Sequence, residues 1–163
     1  MIMSEFSILD WKRNEVLFTA GVIGAIVIIS AGQLVIGNMK TRDAQRKADV
    51  ELTARALVRY RDDYGVVPSA TDSGKIVSCG REGTETCEWG KGEIVDIDNI
   101  TYLKKTPQDP LAEEGRKYIY VPDETRSGFR IYVGLEYKRD PAWKKNLTVQ
   151  CGENVECNWY VQN

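Results

Sequence analysis

VLFTAGVIGAIVIISAGQLVI, residues 16–36, carries no charged side chain and matches the ~20 residues a helix needs to cross a bilayer core. The stretch that follows, GNMKTRDAQRKADVELTARALVRYRDDYG at 37–65, holds no proline and no glycine between Gly37 and Gly65. It predicts that the same helix runs on into water to about residue 63, a rod roughly 75 Å long at 1.5 Å per residue. Val50, Thr53, Leu57, Tyr60 and Tyr64 recur at helical spacing, while Lys47, Asp49, Arg55, Arg59 and Asp62 take other faces. The first half of the helix is expected in lipid, and the second is expected to carry a domain.

The chain has 163 residues, and what remains after the helix suffices for one small domain with a single core. Its 22 basic and 24 acidic residues nearly balance and it has no histidine, so no field of one sign draws the whole chain onto nucleic acid. Cys79 and Cys87, and then Cys151 and Cys157, stand close together in stretches rich in Gly, Glu, Asn and Thr. That usage predicts two locally closed disulfide loops outside the cytosol. Four free thiols are the plain alternative, and neither spacing is the usual C-x₂₋₄-C of a zinc site.

Ahead of the apolar run, MIMSEFSILDWKRNE at 1–15 ends with the basic pair Lys12-Arg13 close to the span, like the n-region of a signal peptide. The run is longer than a signal h-region and has no small-residue cleavage site behind it, so a retained anchor is expected. Lys12 and Arg13 favour a cytoplasmic N-terminus, and Lys40, Arg42, Arg46 and Lys47 favour the reverse. The cysteines break the tie. The expected layout is a cytoplasmic segment at 1–15, a transmembrane half-helix at 16–37, an amphipathic half-helix at 38–64 and an extracytoplasmic sheet domain at 65–163.

Within that domain Gly65 suits a helix C-cap and Pro68 stops any continuation. Residues 69–92 read as a loop with short strands at 75–79 and 86–89, and EIVDI at 93–97 as a strand. Asp98 or Asn99 could cap a short helix, NITYLKK, that Pro107 ends. KYIYV at 117–121 and GFRIYVGLEYK at 128–138 predict an antiparallel hairpin with one covered face. LTVQC at 147–151 and CNWYV at 157–161 predict a second hairpin around GENVE. The fold class expected is α+β, one long helix packed on a small antiparallel sheet.

The order of these features, with RDAQRKADVELTARALVRYRDDYGVVPS after the apolar helix and YLKKTPQDP later, resembles a bacterial type IV pilin or type II secretion pseudopilin. Tyr60, Asp62, Asp63, Tyr64, Gly65 and Pro68 match the family's post-helix turn, and Pro107, Asp109 and Pro110 its Pro-x-Asp-Pro segment. The resemblance implies a filament subunit whose partners are copies of itself or related subunits, with membrane lipid around the helix before assembly, at the cell surface or in protein secretion. It also implies a role for Glu15, the family's Glu that neutralises a neighbour's N-terminal amine. Were Glu15 that residue, the mature chain would start at Trp11. Asp10 stands where the family's peptidase needs Gly, and Lys12 and Arg13 where it has apolar residues, so the N-terminus is expected to be retained. Glu15 then has an interfacial pair with Arg13 as its simpler role. Major pseudopilins bind calcium, and Asp96, Asp98, Asn99 and Asp109 could supply hard oxygen ligands, although turn and capping roles explain the same residues.

Ala20, Gly24 and Ala31, and beside them Gly21, Ala25 and Gly32, form stripes of small residues on the apolar helix, where helices can approach closely. Gly21, Gly24, Ala25 and Gly32, with Glu15, are the expected assembly surface. Trp89, Trp143 and Trp159 could form a binding patch or bury against the sheet. No histidine, G-x-S-x-G or P-loop is present, so enzyme readings have nothing to stand on. A filament subunit is the favoured expectation, and a monomeric membrane-anchored binding or sensor domain the alternative.

Overall fold

The computed structural model describes residues 13–163. The expectations for residues 1–12, including Asp10, Trp11 and Lys12, lie outside the described residues. A single helix, α1, runs from Arg13–Tyr64. The chain divides into two compact units at residues 38 and 39, so α1 contributes its apolar part to the first and its amphipathic part to the second. It is long and apolar enough to cross a membrane, and none of its apolar stretch is buried.

In the second unit the helix ends as its sequence requires. Gly65 takes φ 75°, a left-handed conformation that glycine adopts without steric penalty, and its N–H closes on the Arg61 carbonyl at 2.6 Å. Strands β1 (Ser69–Ala70), β2 (Ile76–Cys79) and β3 (Glu85–Thr86) form one antiparallel sheet in that order. β4 (Ile94–Val95) pairs with β5 (Thr101–Leu103). After a single 3-10 turn at Ala112–Glu114 come β6 (Ile119–Pro122) and β7 (Phe129–Val133). β8 (Gln150–Gly152) and β9 (Val155–Glu156) make a tight hairpin, and β10 (Trp159–Gln162) ends the fold.

The α+β class is therefore correct, with several small antiparallel sheets in place of one. Two elements differ from expectation. NITYLKK is not a helix: Thr101–Leu103 is a strand. Asp96 accepts the N–H groups of Asp98 and Ile100 at 2.8 and 2.9 Å, and Asn99 at φ 61° reverses the chain towards β4. The β-branched and aromatic Ile100, Thr101 and Tyr102 suit that extended outcome. The second departure is that CNWYV does not return along LTVQC. Only Val155–Glu156 pairs with β8, and Trp159–Gln162 adds to the other edge of β7, giving the order β10-β7-β6.

That central sheet has two covered faces. On one side Phe129, Ile131, Val133 and Leu135 join Tyr118 and Tyr120 in a cluster with Val50, Ala54 and Leu57 of α1. Burying each such aliphatic side chain contributes about 1.5–3 kcal/mol relative to leaving it in water. On the other side Ile119 and Tyr132 pack with the cystine Cys151–Cys157, flanked by Leu147, Val149, Val155 and Tyr160. The cystine-closed hairpin thus covers the face opposite the helix.

Both disulfides have the local pairing expected, Cys79–Cys87 between β2 and the segment after β3, and Cys151–Cys157 across the β8–β9 hairpin. Replacing Cys151 and Cys157 together by alanine should lower unfolding free energy by about 2–3 kcal/mol through lost restriction of the unfolded chain. Denaturant titration measures it, and an unchanged midpoint would contradict the assigned role.

Candidate functional site

The sequence points to two places, the apolar half of α1 and the acids after it, and the structure adds a third that joins α1 to the sheets. Asp43, Arg46, Val50, Thr53 and Leu57 lie on one stripe of α1 and all are buried. Three carry apolar or hydroxyl groups, but the two at the N-terminal end are charged. Arg46 has no exposure, which is affordable only where its donors are met by anions.

They are met. Arg46 Nε and Nη2 donate to the two carboxylate oxygens of Asp109 at 2.8 and 2.9 Å, and Nη1 donates to Asp43 at 2.8 Å and Glu136 at 2.6 Å. Arg42 Nε donates to that same Glu136 oxygen at 2.8 Å, and Arg42 Nη2 donates to the other Glu136 oxygen. Asp43 in turn accepts the backbone N–H of Glu136 at 2.9 and 3.0 Å and that of Tyr137 at 2.8 Å, while Asp109 accepts from Leu111 N–H at 2.8 Å. Two guanidinium groups and these backbone dipoles hold three carboxylates together. A planar fork can bond two carboxylate oxygens at once, as a lysine ammonium cannot. Nearby, Lys47 reaches Asp140 at 2.8 Å, and Tyr118 donates to Asp49 at 3.0 Å.

The electrostatics follow. The bond from Arg42 lowers the Glu136 pKa most, burial opposes it, and with the bond from Arg46 the carboxyl is held at about 2. Burial alone would lower the Arg46 pKa, but bonds to Asp109, Glu136 and Asp43 outweigh it and raise it. Burial would raise the Asp140 pKa, but Lys47 and the Ala142 N–H together outweigh it and lower it.

The candidate calcium ligands do not meet. Asp109 is held by Arg46. Asp96 and Asp98 belong to the turn before β5, where the single proton of the Tyr102 hydroxyl is shared between Asp96 at 2.9 Å and Asp63 at 2.7 Å, and Tyr64 donates to Asp98 at 3.0 Å. Among the described residues no group of three His, Cys, Asp or Glu side chains is placed to hold a metal ion. The Tyr60, Asp63, Tyr64 and Gly65 turn thus has structural work of its own, with Tyr60 stacked 5.0 Å from Tyr64 and 5.2 Å from Tyr102. Trp89, Trp143 and Trp159 pack half-buried against the main cluster.

On the apolar half, Glu15, Gly21, Gly24, Ala25 and Gly32 are all exposed. A Cβ at Gly21, Gly24 or Gly32 would meet nothing within 4 Å. With this geometry in view, the chain matches no family model, no curated protein and no solved structure.

Arg46→Lys should cost about 1.5–3 kcal/mol of stability, the worth of charge-assisted hydrogen bonds that an ammonium cannot reproduce, read from the denaturant midpoint. The acid response has a definite sign. Because the folded pKa of Glu136 lies below its ordinary 4.5, its contribution is complete above that value and is lost as pH falls towards about 2. Glu136→Gln should flatten stability against pH across that window, and an unaltered acid limb would contradict the pairing.

Proposed function

We propose that the chain is a structural subunit of a type IV pilus-like or pseudopilus filament, anchored in a membrane before assembly and associating through the apolar half of α1. The observation that carries this reading is that the whole apolar stretch is uncovered, on a helix whose other half is packed and ion-paired into a folded unit. Such a stretch needs lipid or other copies around it. Lipid tails are as apolar as the helix, so association depends on small residues that let backbones approach. Gly21, Gly24, Ala25 and Gly32 supply them, and the cystines fit a sheet domain in an oxidising compartment. The resemblance of the post-helix turn and the Pro-x-Asp-Pro segment to pilins supports the same reading. Asp10, Lys12 and Arg13 favour the second reading, a monomeric anchored domain, because they depart from the pilin start.

Gly24→Leu or Ala25→Leu distinguishes the two. At Gly24 the added side chain finds open space within one chain, and both changes keep the helix apolar, so insertion, folding and both cystines should survive. Neighbouring helices should be held apart. Fibres or crosslinked oligomers in surface-sheared material should fall to a small fraction of the wild-type yield. Wild-type yield from the Leu variants would remove the small-residue interface and favour the tether.

A further inference from the structure

We propose that Asn146 is an N-glycosylation site, its side-chain amide accepting a sugar chain from a lipid-linked glycosyl diphosphate outside the cytosol. The sequence holds two Asn-x-Thr triplets without proline, Asn99-Ile100-Thr101 and Asn146-Leu147-Thr148. So short a pattern arises by chance, and it carries meaning only on a surface loop of an exported domain. The fold gives the second triplet that setting.

Asn146 stands at φ 64° in the irregular segment before β8, a left-handed conformation that asparagine tolerates better than most side chains. Asn146 and Thr148 are both exposed, and neither side chain is bonded to another group among the described residues. Leu147 between them packs beside the Cys151–Cys157 cystine. The middle residue is thus held while the amide and the hydroxyl that a transferase recognises stay in water. Asn146 also lines a groove of about 980 Å³ with Trp143, Gln150 and Asn154, so a first sugar has room, an indole and two amides to lie against.

Other asparagines lack one part of this setting. In the first triplet Thr101 belongs to β5 and its hydroxyl donates to Glu93 at 2.8 Å. Asn158 is buried and exchanges hydrogen bonds with the Leu135 backbone. Asn154 is exposed at φ 57° in the β8–β9 turn, but Glu156 stands where the hydroxyl is needed. It therefore matches Asn146 in exposure and backbone and differs in the recognised side chain.

The transfer involves no redox change. A bond forms between Asn146 Nδ2 and the anomeric carbon of the donor, and the bond from that carbon to the diphosphate oxygen breaks. The lipid diphosphate leaves, and Nδ2 gives up one proton. The local cystines fit an oxidising compartment, where such transfer takes place. The inference rests on that part of the proposed function and is independent of filament assembly.

The test is peptide mapping by mass spectrometry of the full chain extracted from the membranes of its own cells, with thiols counted before reduction. The tryptic peptide 146–163 should be heavier by a whole number of sugar residues, and its fragments should carry them on Asn146 and not on Asn154. Thr148→Ala keeps the acceptor amide and should abolish the added mass, whereas Thr148→Ser should retain it; both variants should keep their cystines. An unmodified Asn146, sugar on the Thr148 oxygen, or equal modification of Asn154 would each overturn the proposal. Free thiols at Cys151 and Cys157 would overturn the compartment as well, so the two failures are told apart.

Discussion

Arg46 sits where a small sheet protein would ordinarily place a leucine, on the stripe of α1 that continues into Val50 and Leu57, and the sheet side of the structure supplies its anions. Asp109 comes from the segment after β5 and Glu136 from the segment after β7. Asp43 holds the backbone of that second segment directly. Two loops distant in sequence are thereby fixed to one turn and a half of helix. Removing a member of such a buried set leaves uncompensated charge in a place water does not reach, which costs more than the set contributes over an apolar replacement. The network therefore acts chiefly as a specifier of register, deciding which turn of α1 meets which loop.

The apolar contacts alone would leave that register loose. Val50, Ala54 and Leu57 offer a smooth face to Tyr118, Tyr120 and Ile131, and a slide by one turn would still bury carbon. The ion set ties Arg46 to Asp109, Asp43 and Glu136 by directed hydrogen bonds, which a slide of one turn would break. On the far side of the central sheet the Cys151–Cys157 hairpin covers Ile119 and Tyr132. Helix and cystine loop together give a three-stranded sheet two protected faces.

Much of this was legible in the residues. The apolar run, the uninterrupted helix, the Gly65 stop and the local cystines each rest on short-range physics: length, absence of glycine and proline, left-handed backbone and loop closure. The misreadings came where tertiary context decides. NITYLKK has helical length and a candidate cap, but the Asp96 side chain captures two N–H groups and turns the chain into a strand. CNWYV could pair with either of two partners, and the open edge of β7 won. The clamp does not follow from reading Arg42 and Arg46 as topogenic charges beside the span. The signal was present in spacing: Asp43 and Arg46 fall on the same stripe as Val50, Thr53 and Leu57, where a solvated charge has no place. Asp109, considered as a metal ligand, proved to be the partner that this stripe required.

A double-mutant cycle between Arg46 and Asp109 tests the clamp most directly. Arg46→Met and Asp109→Leu are measured singly and together in the full chain by denaturant unfolding, with cystine content as a check on folding. Each single change should lose about 3–5 kcal/mol, because each strands a buried charge. The double variant should lose no more than either single one. Single losses that simply add would contradict the clamp, since they would mean that Arg46 and Asp109 contribute independently.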